Sequence, residues 1–241
     1  MSERVVLVTG STSGIGEATA LRFATAGDRV VFNSRNSVAA GERLAAATPN
    51  SIYVQADIAR SEDCARLVAD VIEHFGRLDV LVNNAGTTKV IPHADLAAAS
   101  LDVWREIFEV NVFGTWSLCV AAMDALRASH GAIVNVSSLA GVRPLGSSIP
   151  YAASKAAVNH MTALLAKVVG PEVRVNAVAP GLVDTPWTED WDTVRGFVNA
   201  AAPLKRSGTP NDIAEGIVTL ASSAYVTGQV VVIDGGLGLA T

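Results

Sequence analysis

Aromatic residues are scarce, at 5% of the 241 residues, although half of the chain is hydrophobic. Alanine and valine therefore supply much of the apolar content, which suits close packing of helices on a sheet. Cysteine is nearly absent. Cys64 and Cys119 are far apart and match no metal-ligand spacing. They are expected to be unpaired, small buried hydrophobes in a reducing compartment. Basic blocks are missing and the net charge is −5, so nucleic acid is not an expected partner. No apolar run is long enough to span a membrane, and Met1-Ser-Glu-Arg leads straight into an apolar strand with no signal peptide before it. The expectation is a soluble, cytoplasmic protein. Repeats, low-complexity tracts and linkers are also missing. Residues 1–241 are expected to form one domain with a sizeable core.

What the chain does have is alternation. Short apolar runs rich in β-branched residues occur at Val5–Val8, Arg29–Asn33, Ile52–Gln55, Leu78–Val82, Ala132–Val136, Glu172–Val178 and Val230–Ile233. Such runs suit strands buried on both faces. Helical patterns separate them: one through Leu21, Phe23 and Ala24, then Val38–Ala47, Ser61–Phe75, a single long helix from Ser100 to about Ala128, Tyr151–Val169 and Pro210–Ser222. The fold class expected is α/β, a Rossmann-type doubly wound parallel sheet of about seven strands with helices on both faces. Leu182–Leu204 shows no clean periodicity. With Trp187, Trp191 and Phe197 it reads as a substrate lid.

The first strand runs into Thr9-Gly10-Ser11-Thr12-Ser13-Gly14-Ile15-Gly16 and then a helix. That is the context of a dinucleotide-binding turn: glycines let the backbone approach a pyrophosphate, and the helix N-terminus attracts its charge. The spacing Gly-x-x-x-Gly-x-Gly differs from the usual Gly-x-Gly-x-x-Gly. The Ser and Thr residues between the glycines can hydrogen-bond phosphate directly. The second strand lacks the acid that normally binds an adenosine ribose hydroxyl; Asn33-Ser34-Arg35-Asn36 stands there. Ser34 and Arg35 can hold a 2′-phosphate instead, which favours NADP over NAD. Asp57, just past the third strand, can accept from an adenine amino group or cap the helix that follows. Asn83-Asn84-Ala85-Gly86 closes the fourth strand, where ligands of open α/β sheets sit. Asn111 is an unfavourable residue inside a helix and asks for a reason.

Tyr151 and Lys155 are four apart, on one face of a helix. A nearby ammonium favours a phenolate, so the pair reads as a general acid/base with a lowered tyrosine pKa.

Thr9-Gly10-x-x-x-Gly14-Ile15-Gly16, Asn83-Asn84-Ala85-Gly86, Asn111, Ser138, Tyr151-x-x-x-Lys155 and Pro180-Gly181 stand in one order along the chain. In this the chain resembles the short-chain dehydrogenase/reductases over nearly its whole length. The closing Tyr225–Gly236 segment is similar to members like the 3-oxoacyl-(acyl carrier protein) reductases. The resemblance implies a catalytic set of Asn111, Ser138, Tyr151 and Lys155. Ser138 is chosen over Ser137 because it lies thirteen residues before Tyr151, and Ser137 is taken as structural. Asn111 is implied to hold a water that connects to Lys155. The implied cofactor contacts are Gly10 to Gly16, Ser34, Arg35, Asp57 and Ile58 at the adenine, Asn84, Ala85 and Gly86, Tyr151 and Lys155 at the ribose, and Pro180, Gly181, Val183 and Thr185 at the nicotinamide. The basic residue that many NADP-using members carry before the second glycine is Ser13 here. His74, His93, His130 and His160 match no family site and are assigned to the surface or to helix ends.

The expected activity is NADP(H)-dependent hydride transfer between nicotinamide C4 and a small-molecule ketone or secondary alcohol, with no metal and a homotetrameric assembly. The acidic lid residues Glu189, Asp190 and Asp192 argue against an acidic carrier protein and toward a free, uncharged substrate. Alternatives are a 3-oxoacyl-(acyl carrier protein) reductase, a sugar, polyol or steroid dehydrogenase, and a cofactor-sensing binding protein without catalysis.

Overall fold

Short valine-rich segments form the centre of the molecule. The structure, a computed structural model, describes residues 4–240; residues 1–3 and 241 of the expected domain lie outside the described residues. Strands β1 (Val5–Val8), β2 (Arg29–Ser34), β3 (Ser51–Gln55), β4 (Val80–Asn83), β5 (Ala132–Val136), β6 (Arg174–Pro180) and β7 (Val230–Ile233) build one sheet. Its order is β3-β2-β1-β4-β5-β6-β7, and the pairs are parallel. The strand order reverses between β1 and β4. At that switch the strand ends splay apart and leave a crevice.

Successive side chains of β1 point to opposite faces. Val5 and Leu7 pack with Leu67, Leu81, Leu118 and Ile133. These lie under α3 (Ser61–Phe75), α5 (Thr115–Ser129) and α6 (Ile149–Val169). Val6 and Val8 pack with Phe23, Phe32, Ile213 and Ile217, under α1 (Gly14–Thr25) and α8 (Pro210–Ser222). Helix α2 (Val38–Ala47) follows β2. Among the described residues no helix is long and apolar enough to cross a membrane.

The long helix expected from Ser100 to Ala128 is not continuous. It divides into α4 (Leu101–Phe108), a π-helical segment at Glu109–Gly114, and α5. Gly114 closes that segment against Ile58, where an added Cβ would lie 2.6 Å from the Ile58 carbonyl oxygen. The Asn111 side chain bonds outward rather than within the helix. The widened turn lets both happen. The expected lid also holds more regular structure than its periodicity suggests, since α7 (Asp192–Ala201) lies within it. Val198 and Ala202 anchor this stretch on Leu139 and Leu237.

Candidate active site

A cavity of about 1030 Å³ opens at the carboxyl ends of the central strands. Gly10, Asn84, Ser138, Tyr151, Lys155 and Trp187 share its wall.

The glycine turn forms one side. Gly10 and Gly14 have φ of +60° and +57°, a region costly for any residue with a Cβ. Ser13 gives α1 no side-chain cap, so first-turn N–H groups face the cavity beside Gly14 and Ile15. The turn is braced from behind. The Asn84 amide donates to the Thr9 and Gly10 carbonyls at 2.9 and 3.0 Å. The Thr9 hydroxyl accepts from the Asn84 and Ala85 N–H groups, both at 3.1 Å. An uncapped helix start behind two left-handed glycines fits a dinucleotide pyrophosphate.

Four of the expected cofactor contacts bond or pack within the protein, and none of the four lines the cavity. Ser11 is fully buried and its hydroxyl accepts from the Asn33 N–H at 2.9 Å. It therefore holds the turn to β2, leaving Thr12 and the exposed Ser13 nearer solvent. Ser34 is also buried, with its hydroxyl 2.8 Å from the Tyr53 hydroxyl and accepting from the Ser37 N–H. Of the expected pair at a 2′-phosphate, Arg35 alone is exposed. The Asp57 carboxylate caps a local turn by accepting from the Ala59 N–H at 3.1 Å, while the buried Ile58 packs in the core. Neither lines the cavity. The helix α3 itself starts from Arg60.

The opposite side carries the polar cluster. Ser148 caps α6 by accepting from the Tyr151 N–H, which sets Tyr151 in the first turn and Lys155 in the second. The Ser138 hydroxyl lies close enough to the Tyr151 hydroxyl to favour its ionised form. The Lys155 ammonium donates to the Val136 carbonyl at 2.9 Å and lies 5.7 Å from the Tyr151 ring centroid. Ser137 donates to the Lys155 carbonyl at 3.2 Å, a bond that fixes the helix to β5. Asn111 is buried, and its amide is committed to protein groups. It accepts from the Thr87 N–H at 2.8 Å and donates to the Thr87 carbonyl and the Ser154 hydroxyl, both at 3.0 Å. That side chain clamps the loop following Gly86 to α6.

The tyrosine does not have the lowered pKa that its spacing from Lys155 suggests. Burial pushes the Tyr151 phenol up, with the neighbouring Ser138 hydroxyl opposing. Burial likewise pushes the Lys155 ammonium down to about 8. Desolvation outweighs the attraction between the two groups. The lysine is thus a strained cation that loses its proton more readily than a free one. Its folded pKa lies below its unfolded value near 10.5. The folded state therefore binds fewer protons between those values, and stability rises with pH from about 8 to about 10.5. Lys155→Met is expected to flatten this part of a melting-temperature profile. An unchanged slope would contradict the buried, destabilised ammonium.

The family model described as enoyl-(acyl carrier protein) reductase matches residues 10–238. A crystal structure from Burkholderia xenovorans, described as a short-chain dehydrogenase/reductase, superposes with a TM-score of 0.93 at 39% identity, covering 99% of each chain. The chain belongs to the short-chain dehydrogenase/reductase family. It is an oxidoreductase. A Streptomyces violaceoruber protein named as a ketoacyl reductase of the granaticin polyketide synthase is 56% identical over 98% of this chain and 96% of its own. The 3-oxoacyl-[acyl-carrier-protein] reductase of Thermotoga maritima is 39% identical over 97% of each. Among solved structures, ElxO with NADP bound shares 30% identity over 98% of each chain, with a TM-score of 0.90.

In this short-chain dehydrogenase/reductase residues of the stretch after β6 complete the cavity. Trp187 stands edge-on to Tyr151, with ring centroids 6.4 Å apart. Trp191 and Phe197 line the same wall, as do Pro180, Gly181, Val183 and Thr185. His93, assigned to the surface, is exposed but also lines the mouth of the cavity. Several residues that shape the site carry no motif of their own. Asn33 ties β2 to the glycine turn, and its amide also donates to the Val54 carbonyl. Thr87 and Ser154 hold Asn111. Ser154 has one local signal, its place three residues after Tyr151, whose carbonyl accepts its hydroxyl at 2.7 Å.

Proposed function

We propose that the protein is an NADP(H)-dependent reductase of ketones, acting on ketoacyl substrates. The observation that carries the reading is the Ser138–Tyr151–Lys155 cluster on the wall of the cavity that also holds the uncapped glycine turn. A nicotinamide cofactor bound along that turn supplies the hydride. Ser138 and Tyr151 present two hydroxyls to a carbonyl oxygen, where negative charge develops on reduction. Tyr151 donates the proton. Its high pKa keeps it protonated at neutral pH, as a donor must be. Lys155 holds the second turn of α6 against β5 and, titrating near 8, relays a replacement proton. Asn111 fixes α6 relative to the loop after Gly86. In the reverse direction, oxidation of an alcohol, the tyrosinate accepts the proton.

The relatives named as ketoacyl reductases favour that substrate over a sugar, polyol or steroid. The lid's charge is a weaker objection than it first looks. Arg195 pairs with Asp184 at 2.8 Å and with Asp192 at 2.6 Å, so part of the negative charge is met locally. A cofactor sensor has no use for a complete Ser-Tyr-Lys set.

NADP is favoured by the exposed Arg35, by the lack of an acid at the end of β2, and by the NADP-bound relative. A cytoplasmic homotetramer fits the exposed apolar faces. Phe113, Trp116 and Val120 form one on the π segment and α5, and Leu164 and Val168 form another on α6.

The test is NADPH and NADH consumption in parallel, with a ketoacyl thioester. Wild type is expected to prefer NADPH, and Arg35→Ala to lose roughly ten- to a hundredfold of that preference, the worth of a charged hydrogen bond. A wild-type preference for NADH would contradict the cofactor assignment. Inactivity with all ketones alongside tight NADPH binding would favour the sensor.

A further inference from the structure

On the side of the cavity formed by the loops after β4 and before α6 lies a polar pair that neither the proton chemistry nor the glycine turn uses. The Thr88 and Ser147 hydroxyls lie 2.6 Å apart, where either can donate. Both residues are half-buried and line the cavity. Around them the wall is mostly apolar, with Val90, Ile91, Pro92 and Leu145, and His93 stands at its mouth.

The pair sits beside the reacting groups. Gly146 precedes Ser147, and a Cβ built on it would be 3.8 Å from the Tyr151 ring. Ser148 follows and caps the helix that carries Tyr151. The backbone of the two loops is already joined, because the Ile91 N–H donates to the Ser147 carbonyl at 2.8 Å. The hydroxyls are therefore not needed to close the loops.

Two hydroxyls carry two hydrogens, and their mutual bond uses one. If Thr88 donates to Ser147, the Ser147 hydrogen has no protein acceptor among the described residues. If Ser147 donates, the Thr88 hydrogen has only the Lys89 carbonyl, at 3.4 Å, which is long for such a bond. In either arrangement the pair has a donor to give. An apolar pocket with a few placed polar groups orients its ligand through them.

We infer that Thr88 and Ser147 are specificity-determining residues that bind a second oxygen of the substrate, so that the preferred ketone is a 1,3-dicarbonyl such as a 3-oxoacyl thioester. Ser138 and Tyr151 take the reacting oxygen, and the Thr88–Ser147 pair takes the other. This rests on the reading that the cavity reduces ketones, and it adds the reason why a ketoacyl group is chosen.

The test compares two substrates of one length. One is acetoacetyl-N-acetylcysteamine. The other is the matched monoketone, with a methylene in place of the thioester carbonyl. Wild type is expected to prefer the thioester by about tenfold or more in kcat/KM, as a hydrogen bond to a carbonyl allows. Ser147→Ala and Thr88→Val keep the backbone and lose a hydroxyl. They are expected to remove most of that preference, roughly tenfold, with monoketone turnover within about twofold of wild type. Thr88→Ser is expected to keep it. An equal loss on both substrates would mean that the pair only shapes the loops, and would overturn the inference. So would a wild type with no preference, or variants that retain it. A wild type inert toward both ketones overturns the reductase reading itself, and this proposal with it.

Discussion

Tyr151→Phe is expected to lower turnover by roughly 10²–10⁴-fold, the usual contribution of a general acid/base, while NADPH binding stays within about threefold of wild type. The substitution removes one oxygen. The ring keeps its edge-on contact with Trp187 and its place over Lys155, so the pocket retains its shape. The lost group is a half-buried phenol beside the Ser138 hydroxyl. Ser138 keeps its own bond from the Ala140 N–H at 3.2 Å, so it is not left without a partner. Folding stability should therefore change by less than about 1 kcal/mol. Steady-state kinetics, a fluorescence titration with NADPH and a thermal melt together check the three parts. Turnover near that of wild type would remove Tyr151 from the chemistry.

The second large effect is expected at Gly16. A Cβ there would lie 2.3 Å from the Gly10 carbonyl oxygen and 2.5 Å from the Asn84 amide nitrogen. Neither neighbour can give way easily. Gly10 is held in a left-handed conformation, with Ala85 packed against it, and the Asn84 amide is bonded to two carbonyls of the turn. Gly16→Ala must therefore push the glycine turn away from β4. We expect a loss of about 1–3 kcal/mol in stability, the cost of overpacking, and at least roughly tenfold weaker cofactor binding, since a 1.4 kcal/mol distortion already has that effect. Gly27→Ala is the control. Its φ is +92°, but nothing lies within 4 Å of an added Cβ. It should destabilise through the backbone alone, with cofactor affinity unchanged. Equal cofactor affinity in wild type and Gly16→Ala would show that the turn does not hold the dinucleotide.

The sheet could be read directly from the chain because each strand is a run of β-branched residues between polar ends. Val5–Val8 and Val230–Ile233 appear as expected. Strand ends shifted where pairing extends past the apolar run, as in β6, which continues to Pro180 because Ile233 pairs with it. The π segment was not legible, since it arises from Gly114 meeting a carbonyl more than fifty residues away in sequence. The pairing of Tyr151 with Lys155 was legible through spacing, but its electrostatics were not. Spacing places an ammonium near a phenol, yet only the packed structure reveals that burial governs both. The surroundings of Ser34, the expected phosphate ligand, were hidden for a similar reason. Its hydroxyl is claimed by Tyr53, which stands on the neighbouring strand. The lid's aromatic residues were placed correctly on the cavity wall, whereas its helix was hidden by a mixed surface of acids and aromatics.

The most direct measurement of the central claim is label transfer from NADPH carrying deuterium at both nicotinamide C4 positions to a 3-oxoacyl thioester. The account predicts one deuterium on the carbon that bore the ketone, which becomes the carbinol carbon of the product. It predicts almost none in the same time with Tyr151→Phe. Consumption of NADPH with no deuterium at that carbon, or with deuterium at a carbon of a reduced double bond, would contradict it.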